Sequence, residues 1–297
     1  MNRKALSPMK VRRKLLSRKP VRSGTDPLRL LVIGAHPDDC EFFAGGLAAW
    51  YRRSHHAVTF VSVTDGGAGH HELSRKQLIA CRKKESRLVS KRHGIEYEFL
   101  GAPDGALEAT LALRQRIIRL IRRFDPDLVL THRPNDYHPD HRATSMLVQD
   151  SSYLITVPAI CPDVAALRRD PVICYLQDRF TRPRPFTPDV VISIDAVIDD
   201  KIDMLHCHAS QLYEWSPWIS GTLDQVPSGD AARRSYLRSL LERTFPVSPW
   251  RRHLARGIGK RSAQATEFIE AFEACEYGAT LDERQRNRLF PMPSSHS

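Results

Sequence analysis

The chain has 297 residues, 41% of them apolar and 27% charged, enough for one large α/β domain or two small ones around a sizeable core. No apolar stretch reaches the roughly 20 residues a membrane helix needs. The first 24 residues carry nine Lys and Arg and no acid, too much charge for a secretory hydrophobic region, so the expected setting is cytoplasmic. That stretch also explains the formal charge of +11: without it, 45 − 9 = 36 basic residues face 34 acidic ones, and the body makes no electrostatic case for nucleic acid. Residues 1–25 read as a disordered extension able to touch anionic surfaces. Residues 26–290 read as a single domain, and 291–297 as a loose end.

Along the body, β-rich apolar runs fall at residues 28–35, 58–64, 95–100, 128–131, 172–176 and 190–194. Continuous apolar strands of this kind are buried on both faces. Helical patterns lie between the first four, at residues 45–54, 75–92 and 107–124, and Leu113, Ile117, Ile118, Leu120 and Ile121 recur at helical spacing. The alternation predicts a Rossmann-like, three-layer α/β/α fold with a mainly parallel sheet and right-handed crossovers. A further helix is expected from Ile198, and "ATEFIEAFEACEYG" reads as a last helix returning to the core. Residues 212–264, with Tyr213, Trp215, Trp218 and Trp250, have no clean place in the sheet and read as a lid or an insertion.

The six cysteines lie far apart with no C-x-x-C pair, which excludes a thiolate zinc site and a dense disulfide framework; they read as small reduced hydrophobes. Any metal must then be held by His and carboxylate. In a sheet of this kind the ligand site lies at the carboxyl ends of the strands, and the conspicuous polar clusters fall there. "HPDD" (His36 to Asp39) follows the first strand, "TDGGAGHH" the second, "GAPDG" the third and "HRPNDYHPDH" the fourth. The first turn offers carboxylates where a dinucleotide loop would offer bare glycine amides, and carboxylates suit a divalent cation and repel phosphate. Pro37 biases the turn so that His36 and Asp39 face one point. The Gly45-Gly46 pair lets the following helix approach the sheet. Pro139 opens another helix and places His141 one turn along. His36, Asp39 and His141 make a two-His, one-carboxylate set with open positions, as catalytic zinc requires; the same set also serves Fe2+. His70 and His71 read as solvated, and His208 as either a site residue or a satisfied helix-end histidine.

"AHPDDCEFFAGG" together with "DYHPDHRA" resembles the PIG-L/LmbE-like family of zinc-dependent N-acetylglucosaminyl deacetylases. "VTDGGAGHH", "RKKES" and "FLGAPDG" stand between them in the family's order, and "DDKIDMLHCHASQ" resembles its helix ending in H-x-S-Q. The resemblance implies Zn2+ on His36, Asp39 and His141, Asp38 as general base, and His138 as oxyanion stabiliser. It further implies Asp140 as the orienter of an imidazole, and Arg82, Asp104 and Tyr137 as substrate-binding residues. The family often has Glu after the two aspartates; here Cys40 stands there, with Glu41 next. The implied reaction removes an N-acetyl group from an amino-sugar conjugate. Zinc lowers the pKa of water toward 7, Asp38 shuttles the proton, and His138, paired with Asp140 and cationic, meets the developing charge. Two other readings stand beside it: a non-catalytic sugar- or nucleotide-binding module, and a metal-dependent phosphoesterase.

Overall fold

The structure, a computed structural model, describes residues 26–290; the basic extension and residues 291–297 lie outside the described residues. The chain begins with β1 (Arg29–Gly34), α1 (Asp39–Arg53), β2 (Ala57–Thr64), α2 (Arg75–His93), β3 (Glu96–Ala102), α3 (Leu111–Phe124), β4 (Leu128–Thr131) and α4 (Pro139–Gln149). It continues through β5 (Val172–Leu176), β6 (Val190–Ser193), α5 (Ile198–His206), a π-helical turn (Ser210–Trp215), α6 (Ser216–Ile219), α7 (Asp230–Thr244), α8 (Arg251–Ala265), β7 (Ile269–Ala274) and α9 (Glu283–Leu289). The seven strands form one sheet in the order β3-β2-β1-β4-β5-β7-β6. The first five run parallel, and β7 is antiparallel to both β5 and β6.

The sheet is covered on both faces because successive strand residues point to opposite sides. Leu30, Val32, Phe60, Leu128 and Leu130 pack with Leu47 of α1, Val89 of α2, Leu205 of α5 and Leu237 of α7. Their neighbours Leu31, Ile33, Val61 and Val129 pack on the other face with Ile117 and Ile121 of α3 and Leu147 of α4. This is the three-layer α/β/α arrangement expected from the alternation. Cys40, Cys161, Cys174, Cys207 and Cys275 are buried and Cys81 is half-buried, and all six thiols are free.

Three expectations change. The segment read as a terminal helix is the strand β7. Glu270 and Glu273, three apart, imitate the polar stripe of an amphipathic helix, yet each is buried on its own side of the sheet. Glu270 accepts from Lys201 Nζ at 2.7 Å, and Glu273 lies 2.5 Å from Arg184 Nη2. Helix α1 starts at Asp39 rather than Gly45, inside the polar cluster itself. Helix α3 starts at Leu111 rather than 107, where Thr110 caps it by accepting from the Leu113 amide. The glycine pair does permit close approach: a Cβ on Gly46 would lie 2.6 Å from Ile194, just past β6, and one on Gly45 would lie 3.1 Å from Lys201. Of residues 212–264, the part up to Ile219 borders the main cleft, while α7 packs on α5 and α8 on β6.

Candidate metal and catalytic site

The site grows out of the turn between β1 and α1. Gly34 has to be glycine, because the Cβ of Asp39 sits 2.6 Å from where a Gly34 Cβ would be. The turn is closed by the His36 amide, which donates to Asp39 Oδ2 at 2.7 Å, and α1 begins with the Phe42 amide donating to the Asp38 carbonyl at 2.9 Å. Asp38 caps this helix at φ 130°, ψ −25°. A non-glycine residue held in that region stores backbone strain of the kind found at functional sites.

His36, Asp39 and His141 come together around one point. His36 Nδ1 lies 3.4 Å from Asp39 Oδ2 and 3.3 Å from His141 Nε2, and His141 Nε2 lies 3.5 Å from Asp39 Oδ1. A tetrahedral cation with 2.0–2.1 Å bonds needs donor atoms about 3.3–3.4 Å apart, so the three fit it. The outer faces of the imidazoles are held by carboxylates. His141 Nδ1 meets Asp136 Oδ1 at 3.0 Å; His36 Nε2 meets Asp140 Oδ2 and Asp104 Oδ1, each at 3.3 Å. These contacts turn Nδ1 of His36 and Nε2 of His141 inward, toward each other and toward Asp39, the orientation that carboxylate partners impose on imidazoles around ligated metals. His138 belongs to a group with His36 and His141, and His132 to one with Asp39 and His141, each compact enough to share an ion. His132 is otherwise engaged: its Nε2 accepts from the Ala35 amide at 3.1 Å, and its ring stacks on His141 at 3.7 Å.

Asp140 does orient an imidazole, but it is that of His36. The expected pairing of Asp140 with His138 is not what the chain forms: the Asp140 carboxylate also takes the amides of Gly105 (2.8 Å) and Leu107 (3.2 Å). His138 caps α4, its Nδ1 accepting from the Asp140 amide at 3.1 Å. Burial, then the neighbouring His36 and His141, lower its pKa. His138 is therefore neutral with its proton on Nε2, a donor and not a cation. Asp65 holds this loop cluster in place by accepting from the Asp104 amide at 3.2 Å and pairing with Arg75 at 2.6 Å.

Asp38 stands beside His36 and Asp39 with its Oδ1 3.0 Å from Arg82 Nη2. Burial, opposed by Arg82 and helped by Asp39, raises its carboxyl to about 6. Asp39 is the reverse case: burial would raise it, but His141, His132 and His36 hold it well below the usual carboxylate range. Burial would likewise raise Asp104, yet His36 and the Ala68 amide bring it down to about 2. His36 is held well above its ordinary value; burial pulls it down and its carboxylate partners Asp104, Asp140 and Asp39 outweigh that. Two neighbouring carboxylates with opposite shifts are a recurrent sign of divided acid–base roles.

A cleft of about 570 Å³ opens over these groups. Arg82, Asp104, Tyr137 and His138 line it together with His36, Asp38, Asp39 and His141, so every site residue expected from the sequence lines it except Asp140, which lies behind His36. Arg82, 2% exposed, also donates to the Pro37 carbonyl. Sequence reasoning singled out neither Asp136, whose position five residues before His141 was the available signal, nor His132 at the end of β4. It left His208 undecided: this side chain is fully buried and meets Glu41 at 2.9 Å, behind Asp38. His70 and His71, expected to be solvated, are half-buried and stacked against each other at 4.8 Å.

Comparison with known proteins bears on the family and the fold. The sequence pattern of the family described as PIG-L: GlcNAc-PI de-N-acetylase matches residues 31–152. The chain is 27% identical over 214 residues to diacetylchitobiose deacetylase of Thermococcus kodakarensis, covering 65% of this chain and 76% of that one. It is 24% identical over 193 residues to 4-oxalmesaconate hydratase of Pseudomonas putida, covering 62% and 74%. Among solved structures, N,N'-diacetylchitobiose deacetylase from Pyrococcus horikoshii superposes with a TM-score of 0.64 over 87% of this chain and 89% of that one, at 21% identity; that likeness shows a shared fold.

Proposed function

Residues 31–152 match the PIG-L family, and from that premise we propose that this protein is a metal-dependent N-deacetylase acting on N-acetylglucosamine-type conjugates. The observation that carries the reading is the convergence of two inward-facing imidazole nitrogens and a carboxylate within 3.3–3.5 Å of one another, with a separate carboxylate, Asp38, beside them and not among them. We assign His36, Asp39 and His141 as the ligands of Zn2+, with Fe2+ as the other ion this set suits. Such a cation lowers the pKa of water toward neutrality and polarises the acyl carbonyl.

The chain's own residues supply the rest. Asp38, with a carboxyl near 6, is mostly ionised at pH 7 and close enough to that pH to take a proton from water and hand it on to the departing amine. Arg82 fixes the direction of that carboxylate. Neutral His138 offers its Nε2 proton to the acyl oxygen as negative charge grows there, a contribution of about 3 kcal/mol in comparable sites. Tyr137 and Asp104 line the cleft where the sugar would lie. Strong binding to Asp38 and His36 gives Arg82 and Asp104 a second task, holding the base and the ligand.

The hydratase relative supports a second reading, since hydration of a double bond also needs an activated water and a proton carrier. One experiment separates them. Acetate release from N-acetylglucosamine conjugates, measured with and without chelator, is expected to be present and chelator-sensitive. Metal bound in the protein with no acetate released from any conjugate refutes the deacetylase reading.

A further inference from the structure

Four rings form a stack at the rim of the cleft. His70 and His71 lie parallel at 4.8 Å and 8°, His71 and Trp218 at 5.0 Å and 7°, and Trp218 and Trp215 at 5.3 Å and 18°. The stack joins the loop after β2 to the segment spanning the π-helical turn and α6. Across the same join, His70 Nε2 meets Glu214 Oε2 at 2.8 Å, and Gly69 packs close against the indole, a Cβ there sitting 3.1 Å from Trp215 Nε1. Trp215 is the last ring of the stack, so one of its faces has no stacking partner within it, and Trp215 lines the cleft.

The cleft thereby has two chemically different ends. At one stand the imidazoles and carboxylates around Asp38, with Phe42 and Phe43 of α1 next to them; at the other stand Leu212, Trp215 and Ile219 of the π-helical turn and α6. A volume of about 570 Å³ is in the range that houses drug-sized ligands, more than one acetylated sugar ring occupies. Exposed apolar surface beside a cleft marks a place where a ligand docks: Ile219, which lines the cleft, is 64% exposed, Trp218 in the stack is 47% exposed, and Trp215 itself is half-buried.

Resting on the deacetylase reading, we propose that Trp215, braced by the Trp218–His71–His70 stack, is a subsite for a second ring attached to the reacting sugar. The occupant has one flat apolar face, either the C–H face of a pyranose or an aryl group, and it stacks on the indole. Trp215 is then a specificity-determining residue, and its effect appears in KM, because it binds ground state and transition state alike.

The test measures kcat/KM for metal-loaded protein on methyl N-acetylglucosaminide, its β-linked disaccharide and its phenyl glycoside. Expected is a preference of about tenfold or more for a two-ring substrate, lost in Trp215→Ala and largely restored in Trp215→Phe. Preference for the disaccharide alone assigns the occupant as a pyranose, and for the phenyl glycoside alone as an aryl group. No preference in the native protein, or one that survives Trp215→Ala, overturns the proposal. If no compound releases acetate, the deacetylase reading has failed, and the subsite is judged separately by titrating intrinsic tryptophan fluorescence. A saturable change with a two-ring compound but not the methyl glycoside, lost in Trp215→Ala, upholds it; the absence of such a change overturns it.

Discussion

The two ends of the cleft are built on opposite plans. At the polar end His141 is clamped by Asp136 at 3.0 Å, His36 by Asp140 and Asp104 at 3.3 Å, and in turn Asp140 takes two backbone amides from the loop after β3 and Asp104 takes that of Ala68 in the loop after β2. Loops after β1, β3 and β4 thus fix the same few atoms, as a site for a cation and a reacting bond demands. At the aromatic end the wall is carried by a short π-helical turn and the four-residue helix α6, joined to the loop after β2 mainly by ring stacking and the His70–Glu214 contact. Chemistry is over-determined and selectivity is loosely attached.

Substitutions can break this contrast at points of decreasing severity. The largest effect is expected from Asp39→Ala, which removes a ligand and the acceptor of the His36 amide together; metal analysis should find no stoichiometric ion, and turnover should fall to background. Next, Asp136→Asn keeps the ligand set and weakens the clamp on His141, so metal affinity should drop about 10- to 100-fold, read by competition with a chromogenic chelator. An unchanged affinity would show that the clamp is ornamental.

The pH dependence sharpens the same contrast. Asp38 must be ionised to act as base, and its carboxyl titrates near 6, so kcat/KM should rise with pH through about 6 and level off above it. The carboxyl is raised above its unfolded value, so the sign for stability is the opposite. The native state holds that proton more tightly than the unfolded chain, and the metal-free protein should lose stability as pH climbs from about 4 to 6. Thermal unfolding followed across that window should show the loss, and Asp38→Asn should remove it. The smallest expected effect is structural: Gly34→Ala places a Cβ 2.6 Å from that of Asp39 and should cost about 1–3 kcal/mol of stability, measured by urea unfolding.

Much of this was legible in the sequence because the site is local to strand ends. The strands β1, β2, β4, β5 and β6 are continuous apolar runs, and the residues we assign to a metal follow directly after β1 and within the first turn of α4, where residue spacing alone restricts where the side chains can go. What the sequence pattern concealed was long-range partnership. Glu270 and Glu273 look like the wet face of a helix until Lys201 and Arg184 arrive from elsewhere in the chain. His138 and Asp140 look like a pair because they are two residues apart; helix geometry sends the aspartate to His36, 104 residues away in sequence. His70 and His71 look solvated until Trp218 stacks on His71 and Glu214 meets His70. Each difference arises where a polar or aromatic side chain is satisfied by a residue far along the chain, which no local periodicity records.

The claim at the centre is that Asp38 moves protons and does not hold the metal. Asp38→Asn is the direct probe, since asparagine tolerates positive φ as well as aspartate does and keeps the shape of the side chain. Metal content and acetate release should be measured on the same preparation. The account predicts full metal occupancy with turnover reduced by two to four orders of magnitude, about the contribution of general acid–base catalysis. Retained turnover, or loss of the metal together with activity, would contradict it.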